Sequence, residues 1–400
     1  MTTGPLFQAP SGDDAPAGHH HYKRPDSPYE RFMAEEGIPV HHGIGVRDTR
    51  ELELGAWPRM GGRGIFLQLE GLQGVKGMYV VEVPARGALN PERHMYDEFF
   101  LVIEGRGTTE VWQEGSDRRQ AFEWQPGALF MAPLNAWHRL VNATSSPALV
   151  LVANNAPPIM NIYQSRRFIF DNPHQFTERY NAQDEYFKTV DKLEIDPVRG
   201  RAWLRANIYA DIVNCELPLD NQRAPGYRRI QPGFWGYQQD GAAGGFIAQY
   251  PIGRYSKGHF HRSGAVVVCL QGKGYTYTWP REIGPQPWSN GKAHLVRRQD
   301  YVAGGLVAAA PGGGEWFHQH FGVGTEPLRV INFWGGPVPA WGVNDEQESE
   351  IKAGNLFSIY EGGRTIMYPE EDPYIRNEYR DLLASDRMPH QMPDALYQPK

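Results

Sequence analysis

Short apolar runs separated by turn-forming residues fill two stretches of the chain. From about Arg63 the runs are Ile65–Leu67, Met78–Val83, Phe99–Glu104, Thr108–Trp112, Ala128–Ala132 and Ala148–Val152, punctuated by Ala85-Arg86-Gly87 and Gln125-Pro126-Gly127. A second series runs from about Phe234 through Phe246–Tyr250, Ala265–Gln271, Tyr275–Trp279, Leu306–Ala310 and Leu328–Phe333. Many short strands with tight turns predict jelly-roll barrels. Between them, Asn172 to about Pro225 is mixed in charge and weak in strand signal, with a short amphipathic piece at Tyr180–Lys192. Helices are predicted at Tyr29–Glu36, ended by Gly37, and at Pro373–Ala384. The expected architecture is all-β: an extended arm (1–28), an N-terminal barrel domain (29–170), a connection (171–225), a C-terminal barrel domain (226–345) and a C-terminal arm (346–400).

The two series are copies. Glu92 to His259, His94 to His261, Glu98 to Ala265, Gly105 to Gly272 and Trp112 to Trp279 are each 167 apart, and His138 to His318 and Pro147 to Pro327 are each 180 apart. Constant offsets over ungapped blocks indicate an internal duplication.

Composition narrows the function classes. Formal net charge is −6, from 40 Lys+Arg against 46 Asp+Glu, with no basic stripe interleaved with aromatics, which argues against a nucleic-acid partner. No apolar stretch approaches the roughly 20 residues of a membrane span, and no leader pattern opens the chain. Cys215 and Cys269 are too few for a disulfide framework, and Cys269 lies in an apolar run as a core residue. A cytoplasmic, non-membrane protein is expected. His19-His20-His21 reads as a solvated cluster on the arm rather than a preset site.

The chemistry-bearing residues recur with strand parity. Side chains two apart share one face of a strand, so His259 and His261 point into one barrel and His318, from a distant strand, supplies a third imidazole. Three imidazoles leave about half of an octahedral shell open for a chelating substrate and dioxygen. His320 is a rival third ligand or an acid/base group. In the first barrel His94, Glu98 and His138 form a two-His-one-carboxylate set with Glu92 as a possible fourth ligand; the competing reading is a scaffold in which Glu98 pairs with His94 and an arginine such as Arg106 or Arg139. Arg254 or Arg262 is a candidate carboxylate binder, and Tyr275, Tyr277, Trp279, Trp316, Phe260 and Phe333 are candidate pocket walls, Tyr275 also as a catalytic group. Gln319 should face away from His318. The Gly-rich stretches 61–64 and 311–314 read as turns, since neither lies between a strand and a helix.

These spacings resemble the two motifs of the cupin superfamily. His94, Glu98 and Gly105 fit the first motif and Gly127, Pro133, His138 and Asn142 the second, with Glu92 in place of the first His and Asn135 in place of a Gly. His259, His261 and Gly272, then Gly305, Pro311 and His318, repeat them, with Ala265 where the Glu belongs and two extra residues between Pro and His. The resemblance spans roughly residues 60–155 and 230–335. It implies two double-stranded β-helix barrels, and is similar to gentisate-type aromatic dioxygenases and to bicupins labelled ethanolamine ammonia-lyase activating. In the gentisate type the metal-bearing barrel is usually N-terminal, whereas here the fuller histidine set is C-terminal. The resemblance therefore implies a mononuclear non-haem dioxygenase using O2 on a small aromatic or hydroxylated carboxylate, with Fe(II) as the leading metal and Mn, Ni or Zn compatible. A non-enzymatic small-molecule-binding or regulatory bicupin is the alternative, and a Mn-dependent decarboxylase of the oxalate type the third reading. A homo-oligomer is expected.

Overall fold

The computed structural model describes residues 25–189, 193–195, 202–233, 245–261, 264–311, 316–335 and 357–398. The histidine triplet at 19–21, Arg262, Gly312–Gly314 and the expected strand start at Phe234 lie outside the described residues.

Apolar alternation produces strands with one buried face, and each half of the chain stacks two sheets of them. In the first half, strands Val40–Gly43, Gly62–Leu69, Gly77–Val83, Ala148–Asn154, Glu98–Glu104, Leu129–Met131 and Ile208–Tyr209 lie side by side in that order. A smaller sheet, ordered Gly87–Ala88, Trp137–Asn142, Gly107–Trp112 and Arg119–Trp124, closes the other side. Between them lies a core of Phe66, Tyr79, Val81, Phe100, Phe130, Leu140 and Val150. The second half repeats this. Strands Gly245–Tyr250, Leu328–Gly335, Gly264–Gln271 and Leu306–Ala308 form the middle of its large sheet. Arg297–Val302, Lys273–Pro280, Trp316–Gly322, Gly258–His259 and Thr365–Ile366 form the facing one. The fold is all-β with few short helices, a pair of jelly-roll units.

The large sheets of the two units pack face to face through Leu67, Val80, Leu101 and Leu151 against Ile247, Val266, Val268 and Ile331. Each unit also lends the other a strand. Gly45–Val46 pairs with Leu306–Val307, and Ile208–Tyr209 pairs with Leu129–Phe130. Few strand signals were expected before Pro225, yet Ala202–Arg205 and Ile208–Tyr209 form there. The piece at Tyr180–Lys192, expected to be amphipathic, forms no helix among its described residues. Its turns instead seat Tyr180 and Tyr186 on the first core.

The helices follow their local signals. Pro28–Glu36 starts at a capping box, Ser27 with Glu30, and ends at Gly37 with φ 70°; a left-handed residue there is favourable only for glycine-like backbones. Pro373–Ser385 starts at Asp372, whose side chain accepts from Tyr374 N–H. Its Ile375, Tyr379 and Leu383 cover the outer face of the second unit's smaller sheet.

Candidate metal centres in two barrels

Backbone pairing places the repeat's partners at one position in both units. Glu92 and His138 exchange both backbone hydrogen bonds, at 3.0 and 2.9 Å. His259 pairs with His318 in the same antiparallel way. The offsets seen in the chain thus correspond to one cage built twice.

In the first barrel, ligand-capable atoms of Glu92, His94, Glu98 and His138 lie within 4.8 Å of one another. His94 Nδ1 is 2.8 Å from the Tyr96 carbonyl and must carry a hydrogen there, so Nε2, 3.1 Å from Glu98 Oε2, faces a carboxylate. Such a contact is stable only if Nε2 is protonated or a cation stands between them. Burial opposes a charge on His94, but Glu98 and then Glu92 raise its pKa. His138 donates weakly to the Ala136 carbonyl at 3.2 Å, which leaves Nε2 buried without a partner. Burial, followed by the charge on His94, keeps His138 neutral by lowering its pKa. Glu98 is further held by Tyr79 Oη at 3.1 Å and Asn154 Nδ2 at 3.0 Å. An orphaned imidazole nitrogen beside two carboxylates fits a divalent cation.

Arg139, considered as a scaffold partner of Glu98, instead donates to Glu110 at 2.7 Å. The arginine that matters was not read from the chain. Arg59 donates to Glu92 Oε2 and to Glu36 Oε2, each at 2.6 Å. Burial works against ionisation of Glu92, yet Arg59 and the two histidines hold its pKa below the ordinary value.

In the second barrel His259, His261 and His318 present atoms within 4.8 Å of one another. Their ring centroids are separated by 4.2 Å (259 to 318), 4.6 Å (261 to 318) and 6.0 Å (259 to 261). His259 Nδ1 donates to the Lys257 carbonyl at 3.0 Å, which aims Nε2 inward. His318 Nδ1 is buried without a hydrogen-bond partner. Burial, first of all, drives the pKa of His259 and of His318 well below the ordinary 6.5. Both are therefore unprotonated and able to ligate. Ala265 is fully buried where the first barrel has Glu98, and among the described residues no carboxylate enters this set.

His320 shares the face of His318 but stands apart from the trio. Its Nδ1 lies 2.8 Å from Thr276 Oγ1, which is 3.1 Å from Tyr301 Oη, which donates to the Tyr275 carbonyl at 3.2 Å. A relay running His320 to Thr276 to Tyr301 leaves Nε2 as the free acceptor. Burial and then Arg223 push its pKa to about 3, so it is a neutral base or a hydrogen-bond acceptor.

One expectation needs correction. Tyr275 lies opposite Phe321, while Thr276 and Thr278 lie opposite His320 and His318. Directly paired residues share a face, so Tyr275, Tyr277 and Trp279 point away from the cage. They pack with Phe321 and Tyr379 under the C-terminal helix, and Tyr275 is covered by Arg298 at 3.9 Å from its ring centre. Phe260 lies in that outer cluster too, and Phe333 packs against Phe99 between the large sheets. The tyrosines that do line the second barrel's interior are Tyr227, Tyr250 and Tyr301. Arg254 donates from Nη1 to the Pro225 carbonyl at 2.9 Å, while its Nε is buried without a hydrogen-bond partner. Gln319 faces the outer layer, where its amide donates to Ser256 O and to Glu371 Oε2. Cys269 is buried in the core, its pKa pushed to about 12 by burial.

Among the described residues, Arg223 is a cation close enough to act on this group of histidines. Its charge helps to depress His259, His318 and His320. Its Nη1 is buried without a hydrogen-bond partner, and burial lowers its own pKa. The chain offered only its position in a weakly patterned stretch, which gave no signal.

A family model described as "Cupin domain" matches residues 79–154. A 5-aminosalicylate 1,2-dioxygenase of a Comamonas species is 29% identical over 98 residues, a segment covering 24% of this chain and 24% of that enzyme. The chain is thus matched over about a quarter of that relative's length. Among solved structures, Lactobacillus farciminis oxalate decarboxylase overlaps at TM-score 0.44 and 11% identity, over 73% of this chain and 86% of that one. A variant of Bacillus subtilis oxalate decarboxylase overlaps at TM-score 0.45 and 11% identity, over 74% and 78%. No helix among the described residues is long and apolar enough to cross a membrane. The cupin-domain match at residues 79–154 and the recurrence of its motif spacing and cage in the second unit support a two-barrel, bicupin protein of the cupin superfamily.

Proposed function

We propose that the chain is a mononuclear metal-dependent oxygenase acting on a small aromatic or hydroxylated carboxylate, with its reaction centre in the second barrel. The observation that carries this reading is the convergence of His259, His261 and His318, with no carboxylate beside them among the described residues. His259, His261 and His318 would hold the metal, Fe(II) as the leading candidate, and the metal would supply a Lewis-acid and O2-activating centre. The relative that oxidises 5-aminosalicylate supports the substrate class. Arg223 provides the complementary charge for a carboxylate, a role for which guanidinium geometry is suited. His320, neutral and held by Thr276, would offer Nε2 as a hydrogen-bond acceptor that orients a substrate hydroxyl. Tyr227, Tyr250 and Tyr301 wall the interior and limit water.

The first barrel's set, carrying two carboxylates, is proposed as a second cation site or a scaffold. A non-enzymatic binder remains the competing reading. The test is metal analysis after anaerobic preparation from iron-rich medium, then O2 consumption with a panel of hydroxybenzoates. Stoichiometric metal and substrate-dependent uptake, both lost in His261→Ala, support the oxygenase. Binding of a hydroxybenzoate with no O2 uptake by the metal-loaded protein favours the binder.

A further inference from the structure

The two barrels treat the arginine beside each cage differently. In the first, Arg59 is matched by Glu92 and Glu36, each at 2.6 Å. In the second, no ion pair to Arg223 exists among the described residues. Asp220, an acid whose charge reaches Arg223, commits Oδ1 to Gln222 N–H at 3.0 Å. The backbone of Arg223 is fixed beside the cage, its carbonyl accepting from Lys257 N–H at 2.8 Å, two residues before His259. The side chain cannot be neutralised by losing its proton at ordinary pH, because guanidinium stays charged. A divalent ion placed among three uncharged ligands next to this guanidinium adds like charge in a poorly solvated space. One carboxylate reaching both would relieve the repulsion and satisfy Nη1.

We propose that Arg223 makes metal loading of the second cage conditional on a bound small carboxylate, so that metal and anion each raise the other's affinity. This rests on the metal-site reading above and adds to it an order of assembly: the cage holds its ion weakly until the anionic ligand arrives. The first cage, whose own Glu98 and Glu92 supply negative charge, needs no such partner. Coupling between two ligands is ordinarily about 5- to 150-fold and is reciprocal.

The experiment is a calorimetric titration of the full chain with Co2+ under anaerobic conditions, with salicylate, with neutral salicylamide, or with neither, each corrected for binding of Co2+ by the additive. Salicylate should tighten one Co2+ site by about tenfold or more, and salicylamide should not. That site should vanish in His261→Ala. Arg223→Gln should bind the same ion without salicylate and lose the salicylate effect, while Arg223→Lys, keeping the charge, should retain it. Equal Co2+ affinity at the His261-dependent site in all three conditions would overturn the coupling but leave the metal site standing. If no His261-dependent Co2+ binding occurs under any condition, the metal-site reading fails and the coupling with it. A salicylate-dependent ion that persists in His261→Ala also overturns the proposal.

Discussion

Glu371 gives a pH dependence that can be worked from the structure. It lies buried behind the strand that carries His318 and His320, accepting from Tyr255 Oη and, at 3.0 Å, from Gln319 Nε2. Burial raises its pKa from an ordinary 4.5 to about 8, with the hydrogen bonds from Tyr255 and Gln319 opposing the rise. Arg376 also lowers it and Asp372 raises it, neither enough to reverse the direction. A group whose folded pKa is raised contributes its full stabilisation below the unfolded value and loses it as pH climbs through the folded value. The window therefore runs from about pH 4.5 to about pH 8. At 1.36 kcal/mol per unit, the difference of 3.5 units is roughly 5 kcal/mol as an upper bound. Glu371→Gln keeps the shape and an acceptor for Tyr255 but removes the ionisation. Thermal unfolding followed by circular dichroism in EDTA at pH 5, 7 and 9 should show the wild type falling by several degrees more than the variant. The gap should open between pH 5 and 9, with the variant the more stable at pH 9. Parallel curves for the two proteins would refute the buried, protonated assignment.

Arg59→Ala strips the counter-charge from Glu92 and Glu36, and a buried pair broken on one side costs about 3–5 kcal/mol. The apparent Tm in EDTA should drop sharply, and Mn2+ or Zn2+ should restore more of it than in wild type, because Glu92 then faces the cage unopposed. Tyr275→Phe should leave metal content and any O2 uptake within about twofold of wild type, since the hydroxyl is buried without a partner on the far face and its loss costs little. A tenfold loss of uptake would place Tyr275 in the reaction after all. Thr276→Val cuts the relay behind His320; substrate-dependent uptake should fall by about 10- to 100-fold while metal content holds, and loss of metal instead would make His320 a ligand.

Much of the fold was legible because strand periodicity and repetition are local signals. Constant offsets located His94, His138, His261 and His318 at equivalent sites, and the Glu92–His138 and His259–His318 backbone pairs show why the offsets were kept. Parity was not legible everywhere. In Tyr275-Thr276-Tyr277-Thr278-Trp279 either face can be the inner one, and only the register against His318 and His320 decides it. The exchanged strands Gly45–Val46 and Ile208–Tyr209 are too short to carry a periodic signal. Arg59, Arg223 and Glu371 lie far in sequence from the motifs they face, so no spacing rule reaches them. Their roles arise from burial and from the charges that folding brings near.

If the three-histidine cage is the reaction centre, it must hold a metal ion of its own. Anomalous difference maps collected above and below the iron edge, on crystals grown anaerobically with Fe(II) and salicylate, test it most directly. An iron peak between His259, His261 and His318 is expected. Iron confined to the first cage, with nothing among the three histidines, would contradict it.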